Sequence, residues 1–214
     1  MSTKHAKSDK SSATPAAGRS VSRFGRGLTT CGRGVHGLVA QDPDDGTRGR
    51  TGTAVLTADA ARDLGCLGYV ARASGLSGTD ARVAHPFAAY DTEVSVPVRD
   101  GGDMPARFLV RAEEIDVSLA LAEHLAEDLG PGTWSGPPAP GQAGGSGIGI
   151  VEGWRGTITT RVELGPDGRL ARVKPVDPSF CNRPAPPLAL AGTIVPDFPL
   201  TNKSFDLSYA GNDP

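Results

Sequence analysis

The longest regular pattern in the chain is DMPARFLVRAEEIDVSLALAEHLAEDL, residues 103–129. Asp103 is placed to cap a helix here, and Pro105 falls in the first turn, where its missing N–H costs little. Apolar residues recur at steps of four and three, the spacing of one helix face: Phe108, Ala112, Ile115, Leu119, Ala122, Ala126 and Leu129. The pattern predicts a long helix that packs this stripe against other helices. It leaves these polar side chains off the stripe: Arg107, Arg111, Glu114, Glu123 and His124.

Downstream of this helix, the sequence predicts a flexible insert and then a small antiparallel sheet. Residues 131–148 (PGTWSGPPAPGQAGGSGI) are almost all Pro, Gly, Ala and Ser, which is typical of a flexible connection. The sheet is expected mainly within residues 149–175. Its turn is expected at Gly165-Pro-Asp-Gly168, between strands at Thr157–Glu163 and Leu170–Val173.

Shorter elements are predicted on either side of these two. Thr57–Gly65 has the features of a short helix, with Thr57 as its N-cap and Gly65 as its end. Residues 92–98 alternate as TEVSVPV, which predicts a strand at a sheet edge. A last short helix is expected to begin at residues 197–200 and to end at Gly211. Together these patterns predict an α+β fold, in which a long bundle-type helix and short helices pack beside a small antiparallel sheet.

The amino-terminal residues differ in character from the rest of the chain. Residues 1–50 hold nine Lys/Arg and four Asp/Glu, whereas residues 51–214 hold thirteen and twenty, so a basic arm precedes an acidic body. The first 20 residues have no periodic apolar positions, and we interpret residues 1–50 as a disordered tail before a domain at 51–214. Such an arm can also contact nucleic acid, lipid or an acidic partner, but a solvated tail is the preferred interpretation and no nucleic acid is expected.

The cysteines predict neither a zinc site nor a disulfide framework. Cys31, Cys66 and Cys181 are an odd number and widely spaced, with no C-x-x-C pair. Cys181 is interpreted as a lone thiol that packs in the interior, and a reducing cytoplasm is the compartment that this usage favours. No apolar run approaches the ~20 residues needed to span a bilayer, so any membrane association is expected to come through partners.

Two interior motifs carry a resemblance to a known family. Residues 70–76 read VARASGL and are followed by Asp80, Arg82 and Tyr90-Asp91, so that the pattern is A-R-A-S-G-L, D-x-R, Y-D. This order resembles the core shared by the large subunit of nickel–iron hydrogenases and the related large subunit of respiratory complex I. The resemblance implies that Arg72, Ser74, Asp80 and Arg82 lie beside a cofactor or quinone cavity. The residues themselves predict buried ion pairs that hold loops in register, and this structural interpretation is the favoured alternative.

The carboxyl-terminal third extends the resemblance, but its residues argue against a metal site. The segment VEGWRG resembles the hydrogenase motif E-A-P-R-G, with Glu152 and Arg155 matched and Thr160 where the family has His. Hydrogenases end in D-P-C-x-x-C, whose cysteines hold nickel and iron. On that frame Asp206 matches, while Ser208 and Gly211 replace the two cysteines. A soft nickel–iron site needs thiolates, so these degenerate positions predict that no metal and no cofactor is bound by this chain.

The resemblance therefore implies a metal-free relative of these large subunits, most similar to the hydrogenase-4 and formate hydrogenlyase types. The chain is expected on the inner face of the cell membrane, held by an iron–sulfur small subunit and integral membrane subunits. Iron–sulfur clusters, and quinone or NAD, are expected in the partner complex. The family's first half is expected to be absent, because only its second half is matched. A truncated non-catalytic remnant or a free-standing interaction protein remains the alternative.

Overall fold

The structure, a computed structural model, describes residues 50–85, 94–128 and 144–212. The expected tail and most of the expected flexible insert lie outside these residues, as do Cys31 and Tyr90-Asp91. The described residues form the predicted mixed fold, in which one long helix and several short ones accompany a three-stranded antiparallel sheet.

The first helices form as their sequences suggest. Helix α1 spans Ala58–Asp63, and the Thr57 hydroxyl caps it by accepting a bond of 3.2 Å from the amide of Ala60. Helix α2 spans Gly68–Ala73 and is buried along its whole length. Helix α3, Ala81–Ala84, is a single turn capped by Asp80, whose carboxylate accepts from the amide of Arg82. The predicted helix near residue 57 is thus confirmed.

The long helix α4 spans Met104–Asp128, and Asp103 caps it by accepting from the amide of Ala106 at 2.9 Å. Its buried face differs from the predicted stripe. Phe108 is 44 % exposed, whereas Arg107 and Glu114, which the stripe left outside, are buried. The apolar spacing misled because two charged side chains of this helix enter the interior with partners, and Val110 lies with them on that face.

The sheet is a meander of three strands: β1 at Gly145–Gly153, β2 at Gly156–Leu164 and β3 at Leu170–Val176. The predicted turn joins β2 to β3, but β1 begins inside the expected flexible insert. The predicted strand at 92–98 is wrong in its described part, since residues 94–98 belong to no strand. Their backbone instead leads to Arg99, whose amide donates to the Arg72 carbonyl at 2.9 Å.

The carboxyl-terminal part contains two helices that sequence patterns did not suggest, α5 at Pro178–Asn182 and α6 at Ala185–Leu190. Helix α7 spans Phe198–Phe205 and ends earlier than predicted, because Asp206 adopts a left-handed conformation with φ of 41°. A separate 3₁₀ turn, Ala210–Asn212, follows.

The core joins the two ends of the described chain. Leu56, Tyr69 and Val70 pack with Val110 of α4 and with Phe205 of α7. The Tyr69 hydroxyl donates to the carbonyl of Phe205, so the last helix is tied to α2. Within the described ranges, no helix has both the length and the apolar character required to cross a lipid bilayer.

Candidate functional site

The matched motif residues converge on one buried cluster of charges. Arg72 of α2 donates to Asp80 at 2.8 Å and to Glu114 of α4 at 3.2 Å. Arg82 of α3 donates to the same two carboxylates, at 2.7 Å and 2.6 Å. The two guanidinium groups and the two carboxylates therefore form a closed ring of ion pairs. The predicted pairing of Arg72, Asp80 and Arg82 is present, and Glu114 is a member that the sequence pattern left on the surface.

Glu152 of β1 joins this cluster from the sheet. One of its carboxylate oxygens accepts from the amide of Ala81 and from the hydroxyl of Thr157, both at 2.9 Å. The other lies 3.4 Å from the Arg72 guanidinium. Glu152 therefore connects the sheet to α3 and α2. We call Arg72, Asp80, Arg82, Glu114 and Glu152 the charged cluster.

The protonation of the charged cluster follows from burial and pairing. Burial acts to raise the pKa of Asp80, but its hydrogen bonds to Arg82 and the charge of Arg72 reverse this and leave the pKa lowered. Burial raises the pKa of Glu152, and the nearby charge of Asp80 adds to the effect. Asp80 is hence held as an anion more firmly than a free aspartate, and Glu152 takes up a proton more readily than a free glutamate.

The geometry gives the charged cluster a clear mechanical role. Its members lie on α2, α3, α4 and β1, so their bonds fix the relative positions of these four elements. Buried ion pairs that are joined by several hydrogen bonds hold such elements in one register. The Nε atom of Arg72 is buried without a hydrogen-bond partner among the described residues.

Ser74 and Arg107, outside the charged cluster, form further buried hydrogen bonds. The Ser74 hydroxyl donates to the carbonyl of Leu56 at 2.9 Å, which holds the chain entering α1 against α2. Arg107 donates to Ser204 at 3.0 Å, and to the carbonyls of Gly102 and Ala54 at 2.8 and 3.0 Å. Burial lowers the pKa of Arg107 to about 10.

Arg155 and Asp206, both positions of the family motifs, are in contact with each other. The Arg155 guanidinium donates to the Asp206 carbonyl, and it lies 3.4 Å from the Asp206 carboxylate. Two glycines allow this approach, because a β-carbon on Gly68 would lie 2.2 Å from the Arg155 carbonyl oxygen and one on Gly156 would lie 2.8 Å from the Gly68 nitrogen. The structure thus brings the segment after β1 onto the start of α2 and the end of α7.

The two degenerate metal positions are built into local structure. The Ser208 hydroxyl accepts from the amide of Gly211 at 3.3 Å, and its own amide donates to the Ser179 hydroxyl at 3.0 Å. Space beside Gly211 is filled by Asp177. A β-carbon at residue 211 would lie 2.6 Å from the Asp177 Cγ and Oδ1 and 2.8 Å from its Cβ.

These residues do not fit a nickel–iron centre. The two positions offer one hydroxyl and no second side chain, and the second position has no room for a thiolate. In the parts of the chain that the structure describes, no three His, Cys, Asp or Glu side chains are arranged to hold a metal ion. A cleft of ≈260 Å³ beside Gly211 is lined instead by residues that include Lys174, Val176, Asp177 and Phe180.

The placement of one cysteine differs from the expectation. Cys181 in α5 is partly exposed rather than fully buried, whereas Cys66, in the segment between α1 and α2, is 2 % exposed. The residues that follow them are joined, because Asn182 accepts from the Leu67 amide at 2.8 Å and donates to the Leu67 carbonyl at 3.2 Å. Burial raises the pKa of Cys66 to about 11, and the neighbouring Cys181 adds to this. The segment that contains Cys181 is thus tied to the residue that follows Cys66.

Comparison with known families gives a match over more than half of the chain. The family described as the respiratory-chain NADH dehydrogenase, 49 kDa subunit, matches residues 20–143. The match begins well before residue 51, where the motifs first suggested a resemblance.

Individual relatives are of two kinds. The carbon monoxide-induced hydrogenase of Rhodospirillum rubrum is 31 % identical over 72 % of this chain and 43 % of its own length. The NADH-quinone oxidoreductase subunit 4 of Thermus thermophilus is 32 % identical over 79 % of this chain and 48 % of its own length. The chain therefore spans less than half the length of these relatives.

A solved structure shares the fold. A chain in the structure of the membrane-bound sulfane sulfur reductase, an archaeal respiratory membrane complex, superposes with a TM-score of 0.74. The match covers 92 % of this chain and 55 % of that chain, at 24 % identity. The fold of the described residues is thus one that occurs in a respiratory membrane complex.

Proposed function

Because this chain belongs to the family of the respiratory-chain NADH dehydrogenase 49 kDa subunit, we propose that it is a large-subunit-like component of a membrane-associated electron-transfer complex. The complex is of the hydrogenase-4 or NADH–quinone oxidoreductase type. In this assignment the chain contributes fold and interface and holds no nickel–iron centre. Iron–sulfur clusters, and quinone or NAD, belong to its partners.

The observation that carries the metal-free part is the overlap at Gly211. The Asp177 carboxyl that fills this space also caps α5, because its Oδ1 accepts from the Ser179 amide at 2.7 Å. A side chain at residue 211 would have to displace a group that a helix uses. Residue 211 is therefore enclosed by local packing, so this position differs from a metal-ligand position in its surroundings as well as in its lack of a cysteine.

The charged cluster supports a scaffold role for the matched motif. Each carboxylate of the ring made by Arg72, Arg82, Asp80 and Glu114 is already bonded to a guanidinium. Because these carboxylates are already occupied by guanidinium groups, we assign them the role of holding the elements together. The motif thus serves the fold, in agreement with a non-catalytic subunit.

The carboxyl-terminal surface supports an interface. Val195 is 87 % exposed, Tyr209 81 % and Ile194 66 %. Ile194 and Val195 are adjacent in the chain, and Tyr209 follows α7. Large exposed apolar side chains of this kind are typical of a surface that a partner covers. The partners proposed are an iron–sulfur small subunit and integral membrane subunits, which would place the chain on the inner face of the cell membrane.

Metal analysis of the purified full chain tests the metal-free assignment. After expression with nickel and iron supplied, the expected nickel content is far below one atom per chain. A content near one nickel per chain, retained through gel filtration, would refute the assignment.

The alternative to a subunit is a free-standing interaction protein or non-catalytic remnant, which would not depend on membrane partners. Membrane fractionation of the source cells separates the two. The subunit assignment predicts chain in the washed membrane fraction and its release by alkaline carbonate. If all of the chain is already in the supernatant before the carbonate wash, the result supports the alternative.

A further inference from the structure

We infer that two neighbouring clefts in the carboxyl-terminal part of the chain form one docking surface for an acidic, extended segment of a partner subunit. The assignment rests on the proposed function, which supplies the partner, and it adds the chemistry of the segment that binds. The first cleft is the one of ≈260 Å³ beside Gly211. The second cleft, of ≈300 Å³, is lined by α6 and α7, with Pro187 and Phe198 among its residues.

The two clefts share a boundary on both sides. On one side, Phe180 of α5 lines the first cleft, and Arg183, which directly follows α5, lines the second. Residues three apart lie on the same face of a helix. On the other side, the adjacent residues Tyr209 and Ala210 line the second and the first cleft respectively. An extended chain can therefore pass from one cleft to the other along the surface.

The size and walls of the clefts suit side chains of a peptide. Sites for small-molecule ligands usually enclose about 300–1,000 Å³, so each cleft lies at or below the lower end of that range. Phe180, Phe198 and Tyr209 are all exposed at these clefts. Aromatic side chains are enriched at protein interfaces. Two compact clefts with aromatic walls thus fit two apolar side chains of one segment.

The carboxylates that line the clefts are already bonded within this chain. In the first cleft, Asp177 accepts from the amide of Ser179 at 2.7 Å. In the second, the Asp206 carboxylate lies 3.5 Å from the Lys203 ammonium and 3.4 Å from the Arg155 guanidinium. Both acidic groups therefore serve the local structure.

Each cleft also has a cation without an acidic partner. In the parts of the chain that the structure describes, neither Lys174 in the first cleft nor Arg183 in the second forms an ion pair with a carboxylate. Arg183 lies instead 5.9 Å from the centroid of the Tyr209 ring. A segment that carries Asp or Glu beside its apolar side chains would complete both pairs. Charge complementarity therefore favours an acidic partner segment.

The experiment uses the tagged full chain in its source cells, with the photo-cross-linking residue benzoylphenylalanine in place of Phe180. After illumination, the membranes are solubilised, the chain is purified and the cross-linked peptides are identified by mass spectrometry. The expected product joins residue 180 to one segment of a co-purifying subunit. That segment should carry a net negative charge and at least one apolar side chain.

The same photo-cross-linking residue in place of Leu170 is the matched control for exposure. Leu170 is also an exposed apolar residue, at the start of β3. Strands rise about 3.3 Å per residue, so it stands about 20 Å along β3 from Val176 of the first cleft. Residue 170 should give no cross-link to the segment that residue 180 reaches.

Charge reversal tests the chemistry of the segment. With the cross-linker kept at residue 180, Lys174→Glu together with Arg183→Glu should lower the cross-linking yield by about tenfold, because two ion pairs are replaced by repulsion. The double substitution Lys174→Arg and Arg183→Lys keeps both charges and should retain the yield. Neither double variant breaks an ion pair with a described carboxylate, so the fold is expected to persist in both.

Cross-links from residue 180 only to lipid, to another part of this chain, or to a segment of neutral or positive charge would overturn the inference. A yield that charge reversal leaves unchanged would also overturn it. If subunits of a membrane complex co-purify but residue 180 gives no cross-link to them, the docking surface is wrong and the proposed function stands. If no such subunit co-purifies with the chain, the proposed function fails and the docking surface fails with it.

Discussion

The side chain of Asp177 occupies the space that a side chain at Gly211 would need, with its Cγ only 2.6 Å from the place of a β-carbon there. Substitution Gly211→Ala should therefore destabilise the protein by about 1–3 kcal/mol, the usual cost of forcing an extra carbon into filled space. Denaturant unfolding of the two proteins measures this. Gly192→Ala is the matched control, because nothing lies within 4 Å of its β-carbon position.

The same overlap predicts a coupling between two substitutions. Asp177→Gly removes all three atoms nearest to the β-carbon position at 211, although it also removes the cap of α5. In that background Gly211→Ala should cost much less than in the parent chain. An unchanged cost of Gly211→Ala would show that Asp177 is not what excludes a side chain there.

Breaking the charged cluster should be severe. Asp80→Asn leaves two buried guanidinium groups with one carboxylate fewer, and the loss expected for an opened buried pair is about 3–5 kcal/mol in the free energy of unfolding. Asp59→Asn is the matched control, because Asp59 pairs with Arg62 on the surface at 2.6 Å and exposed pairs contribute about 0–1 kcal/mol. Similar losses for the two variants would contradict the burial of the cluster.

The pKa of Glu152 is raised and that of Asp80 is lowered, so their contributions to the free energy of unfolding should change with pH in opposite directions. The Glu152 pKa is raised in the folded state, so the folded protein binds more protons than the unfolded chain as pH rises from 4.5, the ordinary value, through the folded pKa. The contribution of Glu152 to stability is therefore full below pH 4.5 and declines through that window.

The substitution Glu152→Gln tests this sign. The variant cannot ionise, so its stability relative to the parent should improve as the pH rises above 4.5, the ordinary glutamate pKa, and through the raised pKa of Glu152. Unfolding curves of both proteins at each pH give the comparison. A relative stability that instead worsens with rising pH would mean that Glu152 is a stabilised anion.

Arg107 is held by geometry that lysine lacks. Its three donors reach Ser204 and two carbonyls, and its guanidinium lies 4.1 Å from the centroid of the Phe205 ring. Arg107→Lys should cost about 2–4 kcal/mol, because a single ammonium leaves buried acceptors unpaired. Arg183→Lys is the control, since Arg183 lies 5.9 Å from the Tyr209 ring, which is largely exposed. Chemical denaturation of both variants measures the difference.

Local signals in the sequence predicted much of this fold. The cap at Thr57 and the turn at Gly165–Gly168 depend on neighbouring residues, and both occur in the structure. The pairing of Asp80 with Arg82 is similarly local. Helix α5 was missed although Asp177-Pro178 carries a recognisable start signal, an N-cap followed by proline at the first helical position.

What the sequence could not show are contacts between distant segments. Glu114 lies 42 residues from Arg72 and Glu152 lies 80 residues from it, so neither spacing indicates that the three meet. The apolar periodicity of α4 wrongly predicted that Phe108 is buried. Periodicity takes account of apolar residues only, and it gives no sign that charged side chains of the same helix are buried in ion pairs. The overlap of Asp177 with Gly211 is likewise a property of packing.

The central claim is that this chain works as a subunit of a membrane complex, and its most direct test is affinity purification of the tagged full chain from solubilised membranes of its source, with partners identified by mass spectrometry. The proposal predicts that iron–sulfur and integral membrane subunits are recovered with it in constant ratio. Recovery of the chain alone, from membranes in which those subunits are present, would contradict it.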